Sequence, residues 1–387
     1  MLTNQKHLFS LNDDVRYLNC AYKAPLLKSS ENAAMQALKK ERNPADLKPD
    51  DFFKNVTQVR EEFGKLIHAK PSDVAIIPST SYGFASVLNN VTYHQGQHAI
   101  TIENEFPSDY FSIKRWCETH HAKLKVVRPA RKKKRLGKNW NNRLIESINT
   151  RTAVVIISSV HWMTGMKFDL KRIGEKCRSV GAAFIVDGTQ SVGAIPMDVN
   201  KFNIDALVCA SYKWMFGPYS VGLAYIGERF HGGKPLEESW MNRINAKNFS
   251  NLTTYEEAYW PDAGRFNVGQ TSNFICMPMM LSGLRQLNSW TVEAIQEYCN
   301  QLILPLRNYL ENFGIAVEKE AYSSDHILGF QLPDTMNMDQ LRENFGNHGI
   351  IASIRGNYLR IAVHVFNTEK DIAKLIEVIE ATRVAVN

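Results

Sequence analysis

The sequence holds no cysteine pair at CxxC spacing, no HExxH stretch, no GxGxxG or Walker A glycine loop, and no run of eighteen apolar residues. Each absence removes a class. Cys20, Cys117, Cys177, Cys209, Cys276 and Cys299 are scattered singly, so neither a zinc site nor a disulfide framework is expected, and most should be small buried hydrophobes. The opening stretch MLTNQKHLFSLNDDVRYLN lacks the apolar core and small-residue cleavage site of an export signal. Together with the missing long apolar run, this predicts a cytoplasmic protein without a membrane partner. There is no internal repeat and no low-complexity linker.

What is present is ordinary in bulk: 387 residues, 44% hydrophobic and 22% charged, enough for two domains and a large core. The net charge of +7 is partly local, because 128–138, RPARKKKRLGK, holds seven Lys and Arg. A basic run can bind nucleic acid, but no aromatic residues interleave this one, and it reads as a solvated loop between a strand and a helix.

Hydrophobic periodicity gives the architecture. A short strand and irregular entry at 16–26 lead to helices at 29–42 and 51–69. Short apolar strands at 74–77, 99–102, 123–127, 153–158, 183–186, 206–210 and 222–226 then alternate with helices near 82–90, 108–120, 142–148 and 169–180. Such alternation predicts an α/β fold with a mostly parallel seven-stranded sheet wrapped by helices. Past Gly269 come helices at 275–288 and 291–313, strands near 315–318, 327–331, 350–354 and 358–363, and helices near 338–345 and from Thr368. These make a smaller α+β C-terminal domain. The expected division is an N-terminal segment 1–25 packing near the small domain, a large domain 26–274 and a small domain 275–387, with a cleft between the two.

Chemistry concentrates at 183–218, AFIVDGTQSVGAIPMDVNKFNIDALVCASYKWMFGP. One apolar run ends on Asp187 and another leads to Ser211, Tyr212 and Lys213, at the strand ends where open α/β sheets carry their sites. A lysine beside a turn is ordinarily a solvated group. Here Trp214, Met215 and Phe216 follow it, so an apolar pocket should lower its pKa, as a Schiff-base lysine requires. A buried Asp187 needs a cationic or hydrogen-bonding partner, and the protonated ring nitrogen of pyridoxal phosphate is one; an Asx-turn is the plainer reading. Ser79-Thr80-Ser81-Tyr82-Gly83 falls between a strand and a helix, where hydroxyls and free amides either cap the helix or cradle a phosphate.

DGTQSVGA followed by ASYKWMFGP resembles the class V aminotransferase family of pyridoxal-phosphate enzymes, which includes cysteine desulfurases, kynureninases and isopenicillin N epimerase-like proteins. The similarity runs from YLNCAYKAP to YLRIAVHVFNTEKDI. It implies a fold-type I enzyme, a homodimer with shared sites, in which Lys213 is the Schiff-base lysine, Asp187 pairs with the pyridine nitrogen and Gln190 donates to the phenolic oxygen. Thr80 and Ser81 take the paired hydroxyl position at the phosphate, with Ser211 and Tyr212 adding to that cradle. NEFPSD is similar to kynureninase-like members and places Phe106 on the ring face. RFNVGQTSN resembles the segment by which a neighbouring subunit reaches the phosphate, through Gln270 and Thr271, and Trp240 is a further candidate for a cross-subunit contact. Arg360 corresponds to the arginine that grips the substrate carboxylate. Departures bear on the reaction. No cysteine occurs at 352–358 before that arginine, Trp162 stands where desulfurases carry Asn, and Tyr212 where they carry His. Persulfide formation is therefore disfavoured, and His161 and Trp162 are expected to face substrate. The expected activity is aminotransferase-like on an amino acid, a small-molecule substrate, with lyase or epimerase chemistry as the alternative. A non-catalytic nucleic-acid-binding protein using the basic run is the alternative from another class. No metal is expected.

Overall fold

The computed structural model describes residues 2–130 and 135–384. Seven strands form the central sheet, in the order Val74–Ile77, Gly222–Ile226, Ala206–Ala210, Ala183–Asp187, Thr152–Ser158, His98–Ile102 and Lys123–Val127. Gly222–Ile226 pairs antiparallel with both neighbours and the remaining pairings are parallel. The three middle parallel strands, Thr152–Ser158, Ala183–Asp187 and Ala206–Ala210, are buried at every position, as a sheet covered on both faces demands. Six of the seven therefore deliver the following residue to one edge of the sheet.

The helices follow their apolar stripes. In Leu170–Val180, Asp169 Oδ1 accepts from the Arg172 amide, Leu170, Ile173 and Cys177 face the core, and Gly181 closes the helix at φ +76°. Asp51–Ile67 buries Val56, Val59, Phe63 and Leu66 and ends on left-handed His68. Helix Thr80–Leu88 lies so near the sheet that a Cβ on Gly83 would stand 2.7 Å from Val208 Cγ1 and 2.8 Å from Ile77 Cδ1.

The C-terminal part carries helices Cys276–Trp290 and Val292–Asn312 and a three-stranded antiparallel sheet in the order Ser353–Arg355, Tyr358–Ala362, Ile327–Gln331. Arg16–Tyr17 pairs in parallel with Ile350–Ile351, so the N-terminal segment is fastened to this part of the molecule. Two expectations change. The apolar run 315–318 forms no strand; Glu318 instead accepts from the Leu136 and Gly137 amides, and Val317 O from Arg135 Nε at 2.8 Å. That distant carboxylate also opens helix Gly137–Ser147 five residues before the expected start. The stretch 350–354 splits at Ala352 into two strands that serve different sheets. Of the basic run, 131–134 lie outside the described residues.

Candidate active site

Chain ends from five parallel strands converge. Ser158, Asp187 and the Ser211–Lys213 turn close three neighbouring strands, while Glu105–Phe106 and Ser79–Ser81 follow two others. Lys213 is 6% exposed, with Nζ 5.6 Å from the ring centroids of both Phe106 and Tyr212. Burial lowers its pKa to about 8; Arg360 pulls the same way, and Asp187 and Asp109 oppose. The amine therefore gives up its proton far more readily than an ordinary lysine, with two carboxylates near it.

Asp187 is buried, and its Oδ1 accepts from the Thr189 amide at 2.7 Å. Asp109, fully buried on the first turn of helix Pro107–His120, receives no N–H or O–H on either oxygen. Burial, and then the Asp187 and Glu105 carboxylates, hold its pKa well above the carboxylate range. Two carboxylates in such contact can bond only if one carries a proton. Glu105 completes the group: burial raises it to about 7 against the bonds it accepts from Ser158 and the Phe106 amide. Asp109 and Glu105 escaped the sequence reading. An acid in a helix's first turn reads as a dipole partner, and only the fold shows that this one turns inward towards Asp187.

Gln190 Oε1 accepts from the Trp214 indole at 2.8 Å and its Nε2 donates to Ala21 O at 3.1 Å, which leaves one amide hydrogen. The N-terminal segment is part of the site: besides Ala21, Asn19 Oδ1 accepts from Arg360 at 3.4 Å and the Ala24 amide donates to Tyr212 O at 2.9 Å. Arg360, 5% exposed, donates from Nη1 to Trp162 O at 2.8 Å, and its Nε has no partner. Burial lowers its pKa only to about 10, so a guanidinium that pairs with no carboxylate among the described residues stands in the cleft.

Thr80 and Ser81 occupy the first turn of helix Thr80–Leu88, whose cap is Ser79; Ser79 Oγ accepts from the Tyr82 amide and lies 3.0 Å from Ser81 Oγ. Tyr212 is half-buried, its ring 4.7 Å from that of Tyr219. Ser211 does not turn towards a cradle: its hydroxyl lies 2.8 Å from Pro218 O and 2.7 Å from Val221 O, so its hydrogen closes the 211–221 loop and cannot be given to a phosphate. His161 is also reassigned. It is 2% exposed, packs 5.4 Å from Trp140 and shares a hydrogen with Thr164, and burial lowers its pKa to about 4. It is a neutral core histidine rather than a group facing substrate. Trp162 stays at the cleft, edge-on to Phe106 at 5.7 Å and tethered by its indole N–H to Asn104 O. Gln270 is exposed at φ +58°; Thr271 is buried and donates to Val268 O at 2.6 Å.

A mostly parallel seven-stranded sheet with a buried lysine and aspartate at its strand ends, flanked by an antiparallel C-terminal unit that supplies a buried arginine, defines a pyridoxal-phosphate enzyme of fold type I. A family model described as aminotransferase class-V matches residues 47–375. The chain belongs to the class-V aminotransferase family. It is 27% identical over 327 residues to the uncharacterized aminotransferase YcbU of Bacillus subtilis (strain 168), covering 83% of this chain and 82% of that one. It is 23% identical to a kynureninase of Christiangramia forsetii, over 69% of this chain and 64% of the relative. Among solved structures, the cystine C–S lyase C-DES in complex with cysteine persulfide matches with a TM-score of 0.84 at 18% identity, over 95% and 97% of the two chains. The cysteine desulfurase CsdA from Escherichia coli matches at 0.81 and 16%, over 98% of each. At those identities the structures speak for the fold alone.

Proposed function

We propose that this chain is a pyridoxal-phosphate-dependent lyase acting on an amino acid. The observation that carries the cofactor reading is the buried Lys213 amine, its pKa lowered to about 8, beside Asp187 and Asp109, with Arg360, which pairs with no carboxylate among the described residues, across the cleft. Asp187, with Asp109 buried beside it, fits a protonated pyridine nitrogen, which would supply a cationic donor to a pair of carboxyl groups otherwise met, among the described residues, only by the Thr189 amide on Asp187. The first turn of helix Thr80–Leu88 offers hydroxyls and free amides to a phosphate. Phe106 gives a flat apolar face, Tyr212 lies beside Lys213, and Gln190 keeps one hydrogen for the phenolic oxygen. Bound there, the cofactor supplies an electron sink for charge at the substrate α-carbon.

The protein's own part is to hold and to move protons. Arg360 orients the substrate through its carboxylate, a planar fork on a planar anion. The Lys213 amine would hold the cofactor and would serve as the base that moves the proton at the substrate α-carbon. Asp187 would face the ring nitrogen, and Trp162 narrows the cleft. The kynureninases among the relatives support cleavage of a side-chain bond over the transamination that the sequence suggested. Ser353 occupies the 352–358 stretch where a persulfide-forming cysteine would be needed, so cleavage must proceed without a protein thiol there.

Two measurements test this reading. The purified protein should absorb near the visible edge, lose the band on borohydride treatment and lack it as Lys213→Ala; a colourless protein that cannot be reconstituted defeats the cofactor assignment. A lyase releases product from amino acid alone, whereas strict dependence on an added keto-acid acceptor returns the protein to transamination.

A further inference from the structure

The hairpin Ser353–Arg355/Tyr358–Ala362 carries a second cation into the cleft. Its register pairs Ser353 with Arg360 and Arg355 with Tyr358, so these four side chains share one face of the two strands. Together with Met163 they line one small pocket. Arg355 and Arg360 are diagonal neighbours on that face, about 7–8 Å apart at Cα, a spacing long side chains bridge.

Neither arginine makes an ion pair with a carboxylate among the described residues. Arg360 donates to a backbone carbonyl and to a side-chain amide; Arg355 is exposed and lies with its guanidinium 4.4 Å from the centroid of the Trp162 ring. The same indole touches Phe106, whose ring lies against Lys213. Trp162 therefore links Arg355 to Phe106 and, through that ring, to the Lys213 amine. Two like charges on one face repel, and burial followed by Arg355 are the leading causes that depress Arg360. A single α-carboxylate answers one of them.

We propose that the substrate carries a second anionic group, on its side chain, which Arg355 binds while Arg360 holds the α-carboxylate: an amino acid of the dicarboxylic kind. This rests on the cofactor reading above and adds the substrate class to it. Held over the Trp162 ring and lining the pocket, the guanidinium can grip a planar carboxylate with two parallel hydrogen bonds.

The test is a titration of the holoenzyme with L-aspartate and L-glutamate against L-asparagine and L-glutamine, read by absorbance, and with succinate against propionate, read by calorimetry. Each acid should bind about ten-fold or more tighter than its amide, and succinate than propionate. In Arg355→Gln both gaps should close to roughly two-fold, while Arg355→Lys keeps part of them. Equal affinity for acid and amide in the unaltered protein, or full discrimination kept by Arg355→Gln, overturns the proposal. The two readings fail separately. If no cofactor band forms, succinate calorimetry still reports on the arginine pair; if the band forms and responds to amino acids without preferring acids, only the second-anion inference falls.

Discussion

At the scale of single residues, the site is governed by what burial does to charge. Only a neutral amine has the lone pair that attacks an aldehyde, and the Lys213 amine becomes neutral as pH rises through about 8. Cofactor capture by the unloaded protein should accelerate from about pH 7 to 9 and then level off, as a stopped-flow absorbance series would show. Phe106→Ala admits water, weakens the desolvation and should move that midpoint up towards the ordinary lysine range, about 10.4. Asp109 obeys the opposite rule, since burial penalises its charged form and Asp187 adds repulsion. Asp109→Asn supplies the donor towards Asp187 without the cost of keeping a carboxyl protonated at neutral pH, so the unloaded protein should gain about 1 kcal/mol or more. The same change should shrink the melting-temperature increase that added cofactor produces. Melts with and without cofactor separate the two effects, and a loss of stability in the unloaded form would contradict the assignment.

At the scale of elements, the site depends on how near a helix N-terminus comes to the sheet. Gly83 permits this in helix Thr80–Leu88, where a side chain would meet Val208 and Ile77. Gly83→Val should cost about 1–3 kcal/mol by overpacking, read from urea unfolding, and should weaken inorganic phosphate as a competitor of cofactor binding. The sheet was legible because its strands are continuous apolar runs and the helices between them carry clear stripes and caps, as at Asp169 and Gly181. The strand ends bearing Asp187 and Lys213 followed from the same pattern. What the sequence concealed was set at a distance. Helix Gly137–Ser147 begins where Glu318 caps it from 181 residues away, and the run 315–318 forms no strand because that loop reaches towards Leu136. Ser211 and His161 look like polar site residues beside a lysine and a loop glycine, yet carbonyls of the 211–221 loop and the Trp140 ring claim them. Asp109 and Asn19 were missed because no local rule tells an inward-turning polar group from a solvated one.

At the scale of the molecule, the two sides of the site answer to different parts of the chain: the sheet edge presents Lys213 and Asp187, the C-terminal hairpin presents Arg360, and residues 19–24 stitch them together. One further surface is left bare. Trp240, Ile244 and Tyr255 are 42%, 48% and 90% exposed within a single loop region, and Trp240 rests on Phe52 and Phe249. Scattered apolar side chains need no explanation, but three on one segment, beside an aromatic cluster and close in sequence to exposed Gln270, form the kind of patch a partner covers. We propose that a second copy of this chain covers it, which would bring Gln270, and Thr271 after it, towards the neighbouring phosphate cradle. A charge in the middle of such a patch must be desolvated on association, so Trp240→Glu should raise the dimer dissociation constant by about ten-fold or more in sedimentation equilibrium. Gln270→Ala should leave the dimer intact and weaken cofactor retention on dialysis. An unaltered protein that sediments as a monomer at micromolar concentration, with a complete cofactor band, would show that each chain builds its site alone.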